Sequence, residues 1–250
     1  MDGSLAFGVL LSLFAGLATA IGAAIAFVVP RFSNRWLAIL LGFSAGVMVA
    51  ISFIELFGEA IESIGLFSAS IGFFVGFGII FLVDVLVPHD YETEHVDEES
   101  ASLHRTGVFT AVGVAIHNFP EGLVVVAGAA ASPELGVVLA IAVAIHNIPE
   151  GIAVAVPIVQ ATGKRTRAFL YALFSGLAEP VGALLGALVL MHIMTDTVLA
   201  YVLAGVAGLM VFISLDELLP AANLSEEGHS ATLGVFAGMI VMVATLVVLG

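Results

Sequence analysis

Eight apolar blocks dominate the sequence, at about 5–29, 36–58, 66–87, 107–131, 135–159, 168–192, 196–219 and 230–249. Each is about 20–26 residues long, enough to cross the roughly 30 Å hydrocarbon core of a bilayer as a helix. In lipid a lone spanning segment satisfies its backbone hydrogen bonds only by coiling. A β-barrel would show alternating stretches of about ten residues, and these blocks do not alternate. The sequence therefore predicts an all-α membrane protein with eight transmembrane helices. Of its 250 residues 61% are hydrophobic and 10% charged, where a soluble domain carries roughly 25% charged residues. Nothing outside the blocks is large enough to fold separately, so residues 1–250 are expected to form a single transmembrane domain. The first block follows Asp2 with no Lys or Arg before it, which is a poor signal peptide; it counts as a helix.

The charges give an orientation. Arg31 and Arg35 lie between blocks 1 and 2, Arg105 precedes block 4, and Lys164, Arg165 and Arg167 lie between blocks 5 and 6. With eight crossings all six fall on one face, which the positive-inside rule makes cytoplasmic. The chain is then a multi-pass protein of the cytoplasmic (inner) membrane with both termini outside. A short acidic loop over about 88–106, running from His89 to His104 through Asp90, Glu92, Glu94, His95, Asp97, Glu98 and Glu99, reads either as a solvated segment or as an ion collector. The net charge of −14 argues against nucleic acid as a partner, and the absence of cysteine excludes disulfides and thiolate metal sites.

The sequence also repeats itself. AGVMVAISFIEL (Ala45 to Leu56) in block 2 matches AGLMVFISLDEL (Ala207 to Leu218) in block 7, 162 residues on. The same offset pairs SASIGFFVG from Ser68 with SATLGVFAG from Ser230, and an offset of 160 pairs GLATAIGA from Gly16 with GLAEPVGA from Gly176. Blocks 1–3 thus resemble blocks 6–8, while blocks 4 and 5 share VAIHN-[FI]-PEG at an offset of 29. Each pair joins an odd block to an even one, so partners run in opposite directions. The expected architecture is a 3+2+3 inverted repeat, the pattern of secondary transporters with sites near the midplane. GxxxG spacings at Gly42/Gly46, Gly72/Gly76, Gly182/Gly186 and Gly234/Gly238 suit close helix packing.

The doubled motif carries the chemistry. Block 4 holds His117-Asn118-Phe119-Pro120-Glu121-Gly122 and block 5 holds His146-Asn147-Ile148-Pro149-Glu150-Gly151. Residues four apart share a helix face, which sets His117 with Glu121 and His146 with Glu150. Ionisable residues at mid-bilayer are costly and face a partner, cavity or pathway. Imidazole, carboxylate and amide groups without sulfur suit Zn²⁺, Fe²⁺, Mn²⁺ or Co²⁺ better than Cu⁺. Pro120 and Pro149 cannot donate to the carbonyls of Ile116 and Ile145, which leaves acceptors beside the ligands and a hinge. Two other readings are a buried hydrogen-bonded network and an intramembrane metal-dependent hydrolase, although the HExxH pattern of zinc proteases is absent. Glu179, before Pro180 in block 6, is the next candidate ligand, and its repeat counterpart is Thr19. Glu55, Glu217 and Ser175 are candidate pathway positions. Asp84 and Asp216 lie close to block ends.

HNFPEG, HNIPEGIAVA, SGLAEP (Ser175 to Pro180) and SLDELLP (Ser214 to Pro220) resemble the ZIP family of divalent metal-ion transporters, above all its ZupT-type prokaryotic zinc and iron uptake branch. The resemblance covers all eight blocks. It implies metal uptake into the cytoplasm and a binuclear site between blocks 4, 5 and 6. The first metal would be held by His117, Glu121, His146 and Glu150. The second would be held by Asn118, Glu121, Asn147, Glu150 and Glu179, with Glu121 and Glu150 bridging. The His146-Asn147 pair resembles that of broad-specificity members, so zinc, iron(II), manganese, cobalt and cadmium are the expected cargo. No nucleotide-binding motif or organic cofactor site is read, which points to passive or proton-coupled transport. The partners expected are divalent metal ions and the lipid bilayer; a homodimer is left open.

Overall fold

The computed structural model describes residues 3–28, 33–86, 98–188, 195–223 and 228–249. Among the described residues there is no strand. The helices are α1 (Gly3–Val28), α2 (Asn34–Ile51), α3 (Phe57–Leu86), α4 (Glu98–Ala131), α5 (Pro133–Thr162), α6 (Arg165–Gly176), α7 (Ala178–Leu188), α8 (Asp196–Phe212), α9 (Leu219–Asn223) and α10 (Ser230–Leu249). Two π-helical turns join them, Ser52–Leu56 between α2 and α3 and Ile213–Leu218 between α8 and α9. Among the described residues seven stretches are long and apolar enough to cross a bilayer. Large apolar side chains such as Phe14, Phe67, Phe74, Phe174 and Phe236 are exposed on the outside of the bundle, where lipid would cover them. The chain is a multi-pass, all-α membrane protein.

One of the seven stretches, Asn34–Leu82, has 49 residues. As a straight rod it would measure about 74 Å at 1.5 Å per residue, more than twice the hydrocarbon thickness. It turns back at Gly65, whose φ of 78° and ψ of 156° break α3 internally. Glycine takes that backbone without a Cβ clash. The aromatic rings report the reversal: Phe73 stacks on Phe53 at 5.8 Å and lies 5.2 Å from Phe57. On one straight helix residues 53 and 73 would stand about 30 Å apart. Blocks 2 and 3 are therefore the two arms of this bent stretch.

Helix packing follows the repeat. α1 packs on α5 as α7 packs on α4, and α2 packs on α10 as α8 packs on α3. The closest approaches obey the same offsets. Gly22 meets the Ile148 carbonyl and Gly182 the Phe119 carbonyl, Gly151 meets the Thr19 carbonyl and Gly122 that of Glu179, and none has room for a Cβ. Gly46 on the Val235 carbonyl and Gly208 on the Phe73 carbonyl are a third such pair. Gly16 and Gly176, which are each other's images, meet each other. The π turns are related too: Ser52 and Ser214 donate their hydroxyls to the carbonyls of Met48 (2.6 Å) and Met210 (2.8 Å). These contacts accord with an inverted pair of three-helix units.

Two boundaries differ from the sequence reading. The loop expected over about 88–106 is helical from Glu98, so Arg105 sits inside α4 rather than before it. The apolar block marks only the part of a helix that lipid covers, and polar turns extend past it. His89, Asp90, Glu92, Glu94, His95 and Asp97 lie outside the described residues, as does Arg31. Block 6 is not one rod: α6 stops at Gly176 and α7 restarts at Ala178. Pro180 has no N–H for the Gly176 carbonyl.

Candidate functional site

α4 and α5 run side by side, each continuing through its motif proline. Their polar side chains turn inward. His117, Asn118, Asn147, Glu150 and Glu179 are wholly buried, and Glu121 is 4% exposed. Burial this complete of three carboxyl groups has a large desolvation cost, so their partners decide what the cluster is for.

The described side chains form two hydrogen-bonded groups. In the first, the His117 ring Nε2 and Glu150 Oε1 lie 2.7 Å apart, joining α4 to α5. In the second, Asn147 Nδ2 donates to Glu179 Oε2 at 2.8 Å and to the Ala15 carbonyl at 2.9 Å, while Ser12 Oγ donates to Glu179 Oε1 at 3.3 Å. α1, α5 and α7 meet at this second group. Glu121 lies within electrostatic reach of both His117 and Glu179, as does Glu150. Asn118 Nδ2 donates to the Ser175 carbonyl at 3.3 Å. Ser44 of α2 donates to the Pro149 carbonyl at 2.8 Å and ties the second motif proline to its neighbour.

What remains unsatisfied is the second ring nitrogen of His117, Nδ1, and a set of oxygens. Asn118 Oδ1, Asn147 Oδ1 and Glu150 Oε2 are buried oxygens with no hydrogen-bond partner. Most buried polar atoms in proteins are paired. Oxygens left over in one buried layer, beside an imidazole and two further carboxyl groups, form a set of acceptors that a cation or protons would complete. Among the described residues no three His, Asp or Glu side chains yet converge as a ready metal cage. The His117–Glu150 contact holds those two groups to each other, so a cation bound between them would have to replace it.

The structure thus brings together His117, Asn118, Glu121, Asn147, Glu150 and Glu179. The side chains of His146 and Glu217, and that of Pro120, lie outside the described residues. Ser175 is buried, but its hydroxyl bonds back to Ala172 at 2.9 Å and only its carbonyl faces the cluster. Glu55 is exposed on the first π turn. Sequence reasoning missed Ser12 and Ser44, single hydroxyls in otherwise apolar helices. It also missed the π turns, although ISFIEL and ISLDEL repeat at their sites, and π turns are frequent at functional positions.

A second charged group sits at one end of the bundle. Arg105 of α4 pairs with Asp84 of α3 at 2.7 Å, and Asp216 lies within electrostatic reach of both. His104 is similarly close to Lys164 and Arg167. The end of block 3, the start of block 4, the connection between blocks 5 and 6 and the end of block 7 therefore share one face. That is the grouping an eight-crossing chain requires.

Comparison with known proteins gives the family. The family profile described as ZIP Zinc transporter matches residues 87–246. The chain is 48% identical to the zinc transporter ZupT of Lysinibacillus sphaericus over all of both chains. It is 49% identical to the ZupT of Nitratidesulfovibrio vulgaris, over 97% of this chain and 96% of the other. It is 45% identical to that of Clostridium perfringens, over 95% and 94%.

Proposed function

The chain belongs to the ZIP family, and we propose that it carries divalent metal ions, zinc foremost, across the cytoplasmic membrane into the cell. Its relatives are named zinc transporters. The observation that carries the reading here is the buried layer of unpartnered oxygens, Asn118 Oδ1, Asn147 Oδ1 and Glu150 Oε2, set between helices that cross the membrane. The family is one of transporters, so the hydrolase reading falls.

The binding site we propose is binuclear. His117, Glu121, His146 and Glu150 hold one ion; Asn118, Glu121, Asn147, Glu150 and Glu179 hold the other. The first set has imidazole nitrogens and suits Zn²⁺. The second is all oxygen and suits Fe²⁺ or Mn²⁺ better than the first does; Co²⁺ and Cd²⁺ complete the cargo. If ionised, Glu121, Glu150 and Glu179 supply three negative charges. One dication leaves −1 and two leave +1, so either occupancy is electrostatically tolerable. Eight crossings in a 3+2+3 inverted arrangement, forming one domain over 1–250 with both termini outside, put the Arg105 end of the bundle in the cytoplasm. The matched glycine contacts support that arrangement and favour a carrier over a channel. The membrane potential supplies about 2.3 kcal/mol per charge per 100 mV, so a dication gains about 4.6 kcal/mol, roughly a thousandfold in concentration.

The test is uptake of Zn²⁺, Fe²⁺, Mn²⁺, Co²⁺ and Cd²⁺ into sealed proteoliposomes under an imposed potential, negative inside. Zinc accumulation that rises with the potential is expected. Metal binding without flux under any gradient would overturn the reading.

A further inference from the structure

Thr19 is the residue that the repeat places opposite Glu179, and its surroundings repeat those of Glu179. Asn147 Nδ2 donates to the Ala15 carbonyl at 2.9 Å; Asn118 Nδ2 donates to the Ser175 carbonyl at 3.3 Å. Residues 118 and 147 are 29 apart and residues 15 and 175 are 160 apart, so the two hydrogen bonds are images of each other. Gly122 rests on the Glu179 carbonyl as Gly151 rests on that of Thr19. The backbone frame that presents the Glu179 carboxylate on one side therefore presents the Thr19 hydroxyl on the other. Thr19 is wholly buried.

Its hydroxyl, like that of Thr110, is buried without a partner, unlike several others of the bundle. Ser52, Thr162 and Ser214 donate to the carbonyl four residues back in their own helices, the usual way a helical hydroxyl is satisfied. Thr19 Oγ1 has no partner, and neither has Asn118 Oδ1. Thr19 Oγ1 lies against Gly176, at the break between α6 and α7, and Ser175 next to it holds Asn118. The Gly176 carbonyl has lost its helical donor to Pro180. Two buried unpartnered oxygens and a loosened carbonyl thus come to one junction of α1, α4 and α6.

We propose that Thr19 Oγ1 and Asn118 Oδ1 form a neutral oxygen subsite for a partly hydrated divalent cation, the image of the Glu179 subsite in the other half of the repeat. The inference rests on the transport site described above and adds to it a ligand from α1. A carboxylate on one side and neutral oxygens on the other make the two subsites unequal. The Glu179 side holds the ion tightly, and the Thr19 side takes it with more of its water and gives it up easily.

The test uses zinc and cadmium uptake by proteoliposomes carrying Thr19→Val, Thr19→Ser, Thr19→Cys and Glu121→Ala, at matched protein content. Valine keeps the shape and removes the hydroxyl. If Thr19 only packs, valine removes an unsatisfied buried group and leaves uptake at the wild-type rate, which would overturn the proposal. The expected result is a loss of zinc uptake of about tenfold, the value of one hydrogen-bond-strength oxygen contact, with a thermal midpoint no lower than wild type, and recovery of most of it with serine. The chain has no other cysteine, so Thr19→Cys introduces the single soft ligand. It should raise the Cd²⁺ to Zn²⁺ uptake ratio about fivefold or more, because sulfur favours the softer ion. An unchanged ratio overturns the proposal even if valine fails to fold. Glu121→Ala separates the two readings: if it transports normally, the whole site is misplaced, whatever Thr19 does.

Discussion

Glu150→Gln is the sharpest test of the buried layer, because it removes a charge and almost nothing else. Glu150 is wholly buried and accepts from the His117 ring at 2.7 Å. A glutamine carbonyl accepts the same hydrogen bond, so the fold should lose only the charge-assisted part, about 1–2 kcal/mol. In a chain this size that lowers the melting midpoint by a few degrees, at about 2–4 °C per kcal/mol. Transport should respond differently. At an effective dielectric of about 20, unit charges 4 Å apart attract by about 4 kcal/mol, and a dication doubles this to about 8 kcal/mol. The several kcal/mol needed to desolvate the carboxylate offset part, leaving about 3 kcal/mol or more for the metal, at least a hundredfold in affinity. The assay is initial zinc uptake in proteoliposomes across a concentration series, with thermal unfolding in detergent on the same preparations. Uptake above one tenth of wild type, at equal protein content, would refute the placement of Glu150 as a ligand.

Glu121→Ala should nearly abolish uptake while Glu55→Ala, on the exposed π turn, costs far less; the reverse order in a side-by-side flux assay would move the site. Glu179→Gln should retain one metal per chain and shift preference toward Zn²⁺ over Fe²⁺, read as metal content and competitive uptake. Two bound metals with unchanged preference would remove Glu179 from the second site. Gly22→Ala and Gly182→Ala each force a Cβ into a carbonyl of the facing helix. They should destabilise by similar amounts, about 1–3 kcal/mol or more for overpacking, in urea or thermal titrations. A large effect at one and none at the other would break the symmetry relation.

The membrane helices were legible in the sequence because lipid demands long apolar runs, and the runs from Asp196 and Ser230 start where the helices start. The repeat was legible because AGVMVAISFIEL survives as AGLMVFISLDEL, and the helix packing follows it. What the sequence concealed were features with no compositional cost. α4 extends back to Glu98 because polar residues coil readily outside lipid. The reversal at Gly65 falls in the polar gap at 59–65 that the sequence left between blocks 2 and 3, so its place was legible; which of the chain's 27 glycines makes the turn was not. Of the site, the HNxPEG layer was plain, since buried His and Glu are rare in membrane helices. Ser12 and Ser44 were not, because a lone serine in an apolar helix has the same letter whether it bonds to its own helix or reaches across to Glu179 or Pro149.

Gly16 and Gly176 touch at the point where the two halves exchange. In a dimer of identical chains, a residue on the two-fold axis meets its own copy, and any change there is imposed on both sides at once. Within one chain the two positions are separate letters, and either can change alone. One turn along from this contact the chain has used that freedom: one half keeps a threonine, the other a glutamate. The axis itself has kept glycine on both sides, since a Cβ on either glycine would strike the backbone of the other. Within a single polypeptide the chemistry of the halves therefore differs while their crossing point is a matched pair.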